Sequence, residues 1–287
     1  LRKQQWYKDF LAEESAERLP FIGKFGVDHN EKQIAADICQ TFEINGDFRN
    51  QVTSWTGFLM AIIERAETLR ILVLRSGIVK NSTRRKLSVD EFRGFVINDD
   101  IAPLIFLNGQ DAKAAQIFTL VHELVHLWIG ESGISNPDLS RRDLDQSPSI
   151  ERFCNHVAAE ILVPRDSFLS EWNASQNIRD NLIRLTRLFR VSSLVILRRA
   201  FDLQIIPWSR YIASYNLEKE RYKQRQTDQQ REGGNFYASL GARNSKQLTR
   251  AIISSAFEGR ILYREAASLL NVKVESLQRV ATEFGIR

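Results

Sequence analysis

Apolar positions along the chain follow two rhythms. From Glu31 to Phe42, and again from Thr53 to Leu69, they recur at three and four (Ile34, Ile38, then Phe58, Leu59, Ile62, Ile63), the spacing of one helix face. Residues 1–20, with Trp6, Tyr7, Phe10 and Leu11, read as a helix that ends before Pro20. Three short β-rich runs follow, Arg70–Arg75, Phe92–Ile97 and Pro103–Leu107, bounded by Gly, Asn, Asp or Pro; they predict a small sheet. The run Phe118–Trp128 then returns to helical spacing and predicts a buried helix reaching Gly130, with Asn108 or Asp111 as its cap. Glu131–Ser149 is polar, holds Gly133, Asn136 and Pro137, and predicts a loop; Ile150–Leu162 is helical again. Beyond Pro164 the chain reads as helix, tight turn at Val191-Ser192, then helix, over residues 182–200. Residues 218–232 are polar throughout, an exposed helix or linker, and Gly233-Gly234 predicts a turn. Leu262–Val280 repeats the helix-turn-helix spacing.

One of these elements carries chemistry. Within the buried helix, His122 and His126 are four residues apart, so both imidazoles lie on one face and aim at one point. Zinc takes histidine nitrogen at ~2.0–2.1 Å, and two such ligands on a helix are half of a site. Glu123 sits beside them, off that line, where a carboxylate can accept a proton from an attacking water. The alternative is a core helix that happens to hold two histidines, yet the whole chain has only four.

A catalytic zinc needs three protein ligands and one open position. Glu151, on the helix 25 residues after His126, is the first candidate for the third, and Asn155 lies one turn on, placed to hydrogen-bond a ligating histidine. His156 is chemically as good but faces away from Glu151; Glu131 follows the second histidine closely, and Glu160 lies on a different face. Periodicity leaves these four open. Cys154, beside Asn155, reads as core.

Charge adds a second theme. The net +5 divides into 20 Lys+Arg against 25 Asp+Glu over residues 1–178, and 20 against 10 over residues 179–287. A basic half contacts nucleic acid or an acidic partner, or is a solvated surface. Arg198 and Arg199 pose the same choice: phosphate contacts, or part of a helix pair packed on the core. With 43% apolar and 26% charged residues, and no apolar run near the ~18–20 that a membrane span needs, the chain builds a core and excludes a membrane role. Cys39 and Cys154 make no disulfide framework, which points to a reducing cytoplasm. The N-terminus lacks the apolar region of a signal peptide, and since the one methionine is Met60, the chain reads as a fragment or processed product.

His122-Glu-Leu-Val-His126, followed by Glu151-x-x-Cys154-Asn155-x-x-Ala158-Ala159-x-x-Leu162-x-Pro164, resembles the ImmA/IrrE family of zinc metallopeptidases. Ile105-Phe-Leu-Asn108 and Ala115-Gln-Ile-Phe118 carry the same likeness, which is strong over about residues 70–165 and weaker to about 210. Gly233-Gly234-x-Phe236-Tyr237 also resembles the C-terminal part of longer members, and Cys154 departs from the alanine commoner there. The resemblance implies zinc on His122, His126 and Glu151, Glu123 as general base, and cleavage of a helix-turn-helix repressor or antitoxin-like partner that controls a mobile-element, stress or phage-defence operon. The expected fold is α+β: an N-terminal helical segment (1–69) packing on the core, a zincin-like peptidase core (70–165), a helix-turn-helix-like region (166–217), a polar linker (218–235) and a helical C-terminal region (236–287). The rival reading is a non-proteolytic regulator that binds DNA or a repressor and keeps its zinc for structure.

Overall fold

The computed structural model describes residues 1–79, 82, 84–135, 149–228 and 236–286. Four helices come first: α1 (Arg2–Glu13), α2 (Glu31–Thr41), α3 (Gly46–Asn50) and α4 (Trp55–Thr68). The side chains of Asn30 and Ser54 accept backbone N–H bonds at the starts of α2 and α4, at 2.8 and 3.0 Å, the usual way to satisfy a helix's first donors. The first helix is shorter than its pattern predicts: it stops at Glu13, and Ser15 turns the chain at φ 56°.

Strands β1 (Leu72–Ser76), β2 (Gly94–Ile97), β3 (Leu104–Asn108) and β4 (Gly133–Ser135) form one sheet in the order β1-β3-β2-β4. β1 and β3 run parallel, while β2 is antiparallel to both its neighbours. Alternation sends Val73, Val96, Ile105 and Leu107 to one face and Leu72, Leu74, Phe95, Leu104 and Phe106 to the other, and both faces are covered.

On the first face lies the main core, whose centre is α5 (Lys113–Trp128), buried on all sides from Gln116 to Trp128. Neither Asn108 nor Asp111 caps α5. Ala112 holds the cap position without a side-chain bond, because both expected residues are engaged elsewhere. Asn108 ties down the loop before β2 through Ser88 O and Phe92 O, each at 3.1 Å, and Asp111 pairs with Arg93 at 3.0 Å. At the other end, the N–H groups of Gly23 and Phe25 bond to the carbonyls of Leu127 and Trp128, supplying partners that a helix C-terminus lacks. Gly23 and Gly130 have φ of +64° and +75°, and a Cβ on Gly130 would stand 3.1 Å from the Gly23 backbone, so this crossing needs glycine on both counts.

Helices α6 (Ser149–Leu162), α7 (Arg165–Glu171), α8 (Ile178–Phe189), α9 (Ser193–Asp202) and α10 (Trp208–Asp228) complete this body. Arg190 in the left-handed region ends α8 and Ser192 caps α9, giving the tight turn expected at Val191-Ser192. Leu182, Leu185, Phe189, Ile196 and Leu197 all lie in the main core, so the α8–α9 pair packs on the main body. Arg199 donates to Val163 O at 3.0 Å and pairs with Glu160, and Arg198 pairs with Asp202 at 2.8 Å. Both are buried, which spends their charge inside the fold. Residues 218–228 continue α10 as one helix, while Gly233-Gly234 lies outside the described residues.

On the second face sit α11 (Phe236–Asn244), α12 (Lys246–Phe257), α13 (Tyr263–Leu270) and α14 (Leu277–Glu283), with a 3-10 turn at Val274–Ser276 before the last. They share a second core with α1, Tyr7 and Leu11 included, and with Leu72 and Leu104 of the sheet. The first 69 residues are therefore divided: α1 joins the C-terminal helices, and α2 to α4 join the main body. Part of the expected loop Glu131–Ser149 is strand β4; residues 136–148 lie outside the described residues. No helix among the described residues is long and apolar enough to cross a membrane.

Candidate metal centre

Helices α5 and α6 pack side by side, and α6 also packs on α2, which fixes its rotation. That rotation brings Glu151 to the two histidines. Its Oε2 is 3.2 Å from His122 Nε2, its Oε1 is 3.2 Å from His126 Nε2, and the two ring nitrogens are 3.1 Å apart. These are the three donors that come together as a metal-sized group among the described residues. Donors held at ~2.0–2.1 Å from one tetrahedral ion stand ~3.3 Å from each other, close to the spacing of the two ring nitrogens and of each nitrogen from its nearer Glu151 oxygen. The donor set, two imidazoles and a carboxylate, also suits that ion.

The rival donors lie outside this group. His156 Nδ1 is 3.0 Å from Glu31 Oε1 on α2. Glu160 pairs with Arg199, and Glu131, exposed, lies just past the end of α5. Asn155 lies against His122 and favours its charged form, although the Asn155 Oδ1 finds no hydrogen-bond partner among the described residues. The Nδ1 atoms of both histidines are likewise buried without a partner within hydrogen-bond distance, while both Nε2 atoms face the triangle. Cys154 is fully buried, and burial first, then the nearby carboxylates of Glu151 and Glu123, push its thiol well above the usual range; a protonated thiol adds no ligand.

Electrostatics separate the three donors. Burial pulls His122 below its ordinary value, so the ring is held in the neutral form that binds metal. Burial pushes Glu151 the opposite way, but its hydrogen bonds with both imidazoles, helped by Coulomb attraction whenever a ring is protonated, outweigh it and hold the carboxyl far below the usual carboxylate range. Glu151 is thus a permanent anion, and roughly a quarter of its side chain meets solvent.

Glu123, fully buried, owes its room to a residue that the sequence reading passed over. Gly94 opens β2 directly opposite, and a Cβ there would stand 2.6 Å from Thr119 Cγ2, 2.9 Å from Phe106 O and 3.0 Å from Glu123 Oε1. A glycine inside a strand pattern is the available signal for such a close approach. Gly94→Ala is expected to destabilise the protein by about 1–3 kcal/mol, the scale of overpacking, because the Phe106 carbonyl is backbone and cannot swing away. Urea unfolding measures it, and an unchanged midpoint would mean that β2 shifts freely.

Two stretches of the chain match family models. Residues 66–201 match the model described as the IrrE N-terminal-like domain, a peptidase family of metal-dependent type. This stretch belongs to the ImmA/IrrE family. Residues 244–283 match a domain of unknown function. No curated protein matches the chain. The IrrE-like domain runs from the end of α4 through α9, so it includes the α8–α9 pair. That pair is part of the domain's own body, as its packing also shows. The C-terminal match covers α12 to α14, on the opposite face of the sheet from α5.

Proposed function

We propose that the chain is a zinc-dependent endopeptidase which cuts a protein partner at one place, the partner being a helix-turn-helix repressor or antitoxin-like regulator of a mobile-element, stress or phage-defence operon. The observation that carries this reading is the closed triangle of His122, His126 and Glu151 with Glu123 next to it in sequence. Three donors suit a catalytic ion, which keeps one position for water or substrate, whereas a structural zinc takes four. When bound, zinc would supply Lewis-acid polarisation of the peptide carbonyl and make water acidic enough to attack near neutral pH.

The chain's own residues do the rest. His122 and His126 present Nε2, and Glu151 supplies a negative charge that partly offsets the ion's. Glu123, closed off from bulk water, takes the proton of the attacking water on a carboxylate oxygen and returns it to the leaving amine. Thr119 and Gly94 fix the room in which that carboxylate moves. Cys39 and Cys154 are free thiols, in keeping with work in a reducing cytoplasm.

Incubation of the zinc-loaded chain with a purified repressor encoded beside it is expected to give a single cut, read by intact mass. Cleavage should stop with chelator and return with zinc. A repressor that binds but stays whole at full zinc occupancy would transfer the assignment to a non-proteolytic regulator.

A further inference from the structure

The first turns of α5 also line a cleft of about 650 Å³, whose other sides are α8, the turn into α9, and α10. It comes close to the metal centre: the ring of Phe118 in its floor is 6.5 Å from that of His122, and Thr119, also in the floor, faces Gly94 and Glu123. Three large apolar side chains in it are exposed, Trp55 and Tyr222 at 37% and Ile183 at 47%. Grouped apolar surface of this kind marks a place where something docks.

The charge of the cleft selects what docks. Its two carboxylates are taken, Asp111 by Arg93 at 3.0 Å and Glu218 by Arg221 at 2.5 Å. Arg179, Arg187 and Lys219 remain, all exposed, and no carboxylate among the described residues pairs with them. Asp180, next to Arg179, is engaged by the cap residue Asn177 at 2.8 Å. The result is an apolar floor with a cationic border, the complement of a segment that is apolar on one side and acidic on the other.

We propose that this cleft seats an acidic amphipathic segment of the protein substrate, with its apolar side chains on Trp55, Ile183 and Tyr222 and its carboxylates against Arg179, Arg187 and Lys219. It thereby holds the chain to be cut beside His122 and Glu123. Its purpose rests on the peptidase reading; its chemistry does not. Nucleic acid fits less well, since a phosphate backbone would leave the apolar floor facing charge.

Binding tests the proposal without cleavage. Two fluorescein-labelled peptides of about 14 residues, four helical turns, share their apolar positions and carry Glu or Lys at all others. Anisotropy against zinc-loaded full chain carrying Glu123→Gln, at ~50 mM salt to limit screening, should show the Glu peptide bound at least tenfold more tightly. Arg179→Glu with Arg187→Glu should remove that preference, with the melting temperature confirming an intact fold. Equal affinity for the two peptides, or a preference that survives the double reversal, would overturn the cleft. So would random duplex DNA that displaces the Glu peptide and itself depends on Arg179 and Arg187. A surviving peptide preference in a chain whose wild type cuts no repressor would count against the peptidase reading alone. Efficient, specific cleavage without the preference would count against the cleft alone.

Discussion

Glu123→Gln is expected to lower repressor cleavage by ~10² or more while zinc content and melting temperature stay at the wild-type level. The substitution keeps the size and planarity of the side chain and removes only its ability to accept the proton. Retention of the fold is expected because Glu123 sits in a close-fitting place between α5 and β2, with Gly94 opposite, and an amide fits where the carboxylate does. Retention of zinc is expected because the donor triangle consists of other residues. The contrast with Gly94→Ala is informative. That change crowds the same carboxylate sterically and should move stability as well as rate, whereas loss of the base should move rate alone. A zinc-loaded Glu123→Gln that cuts at the wild-type rate would remove Glu123 from the mechanism.

The fold was legible where the sequence is periodic. α5 and α6, and the cores of β1, β2 and β3, announce themselves by spacing, because each buries one face or both against the main core. β4 did not. It has three residues in a polar stretch and owes its existence to the register Gly94↔Ser135, Phe95↔Ile134, Val96↔Gly133, a pairing that its own sequence does not encode. The same holds for the second core. Residues 236–287 read as a helical unit, but that this unit covers the sheet and takes α1 with it depends on contacts more than 150 residues apart, such as the Lys246 N–H to Glu67 Oε1 bond of 3.0 Å.

The helix pair at residues 178–202 shows the opposite limit. Its turn chemistry was readable in the sequence, yet the same spacing serves a DNA reader and a packed pair equally well. In the structure Arg198 and Arg199 are buried and Val195 to Leu197 lie in the main core. Exposed basic charge on this side of the protein is instead found at Arg179, Arg187 and Lys219, around a cleft that no periodicity could reveal.

The third ligand is where periodicity alone stopped short of the Glu151 that the resemblance implied, and where the second large effect is expected. Spacing left Glu151, His156, Glu131 and Glu160 as candidates, since a helix wheel gives directions only relative to its own axis. What decides the geometry is how α6 is turned against α2 and α5: Glu151 meets the histidine pair, and His156 is turned to Glu31. Glu151→Ala should therefore lower bound zinc, measured by elemental analysis after dialysis, from one per chain to a small fraction of that. Two imidazoles alone leave the ion without its charged ligand. His156→Ala should keep zinc at one per chain, and loss of its partly exposed pair with Glu31 should cost about 1 kcal/mol or less. Full occupancy in Glu151→Ala together with loss in His156→Ala would exchange the two residues, and would require α6 to turn by more than a third of a revolution from the orientation its packing on α2 now sets.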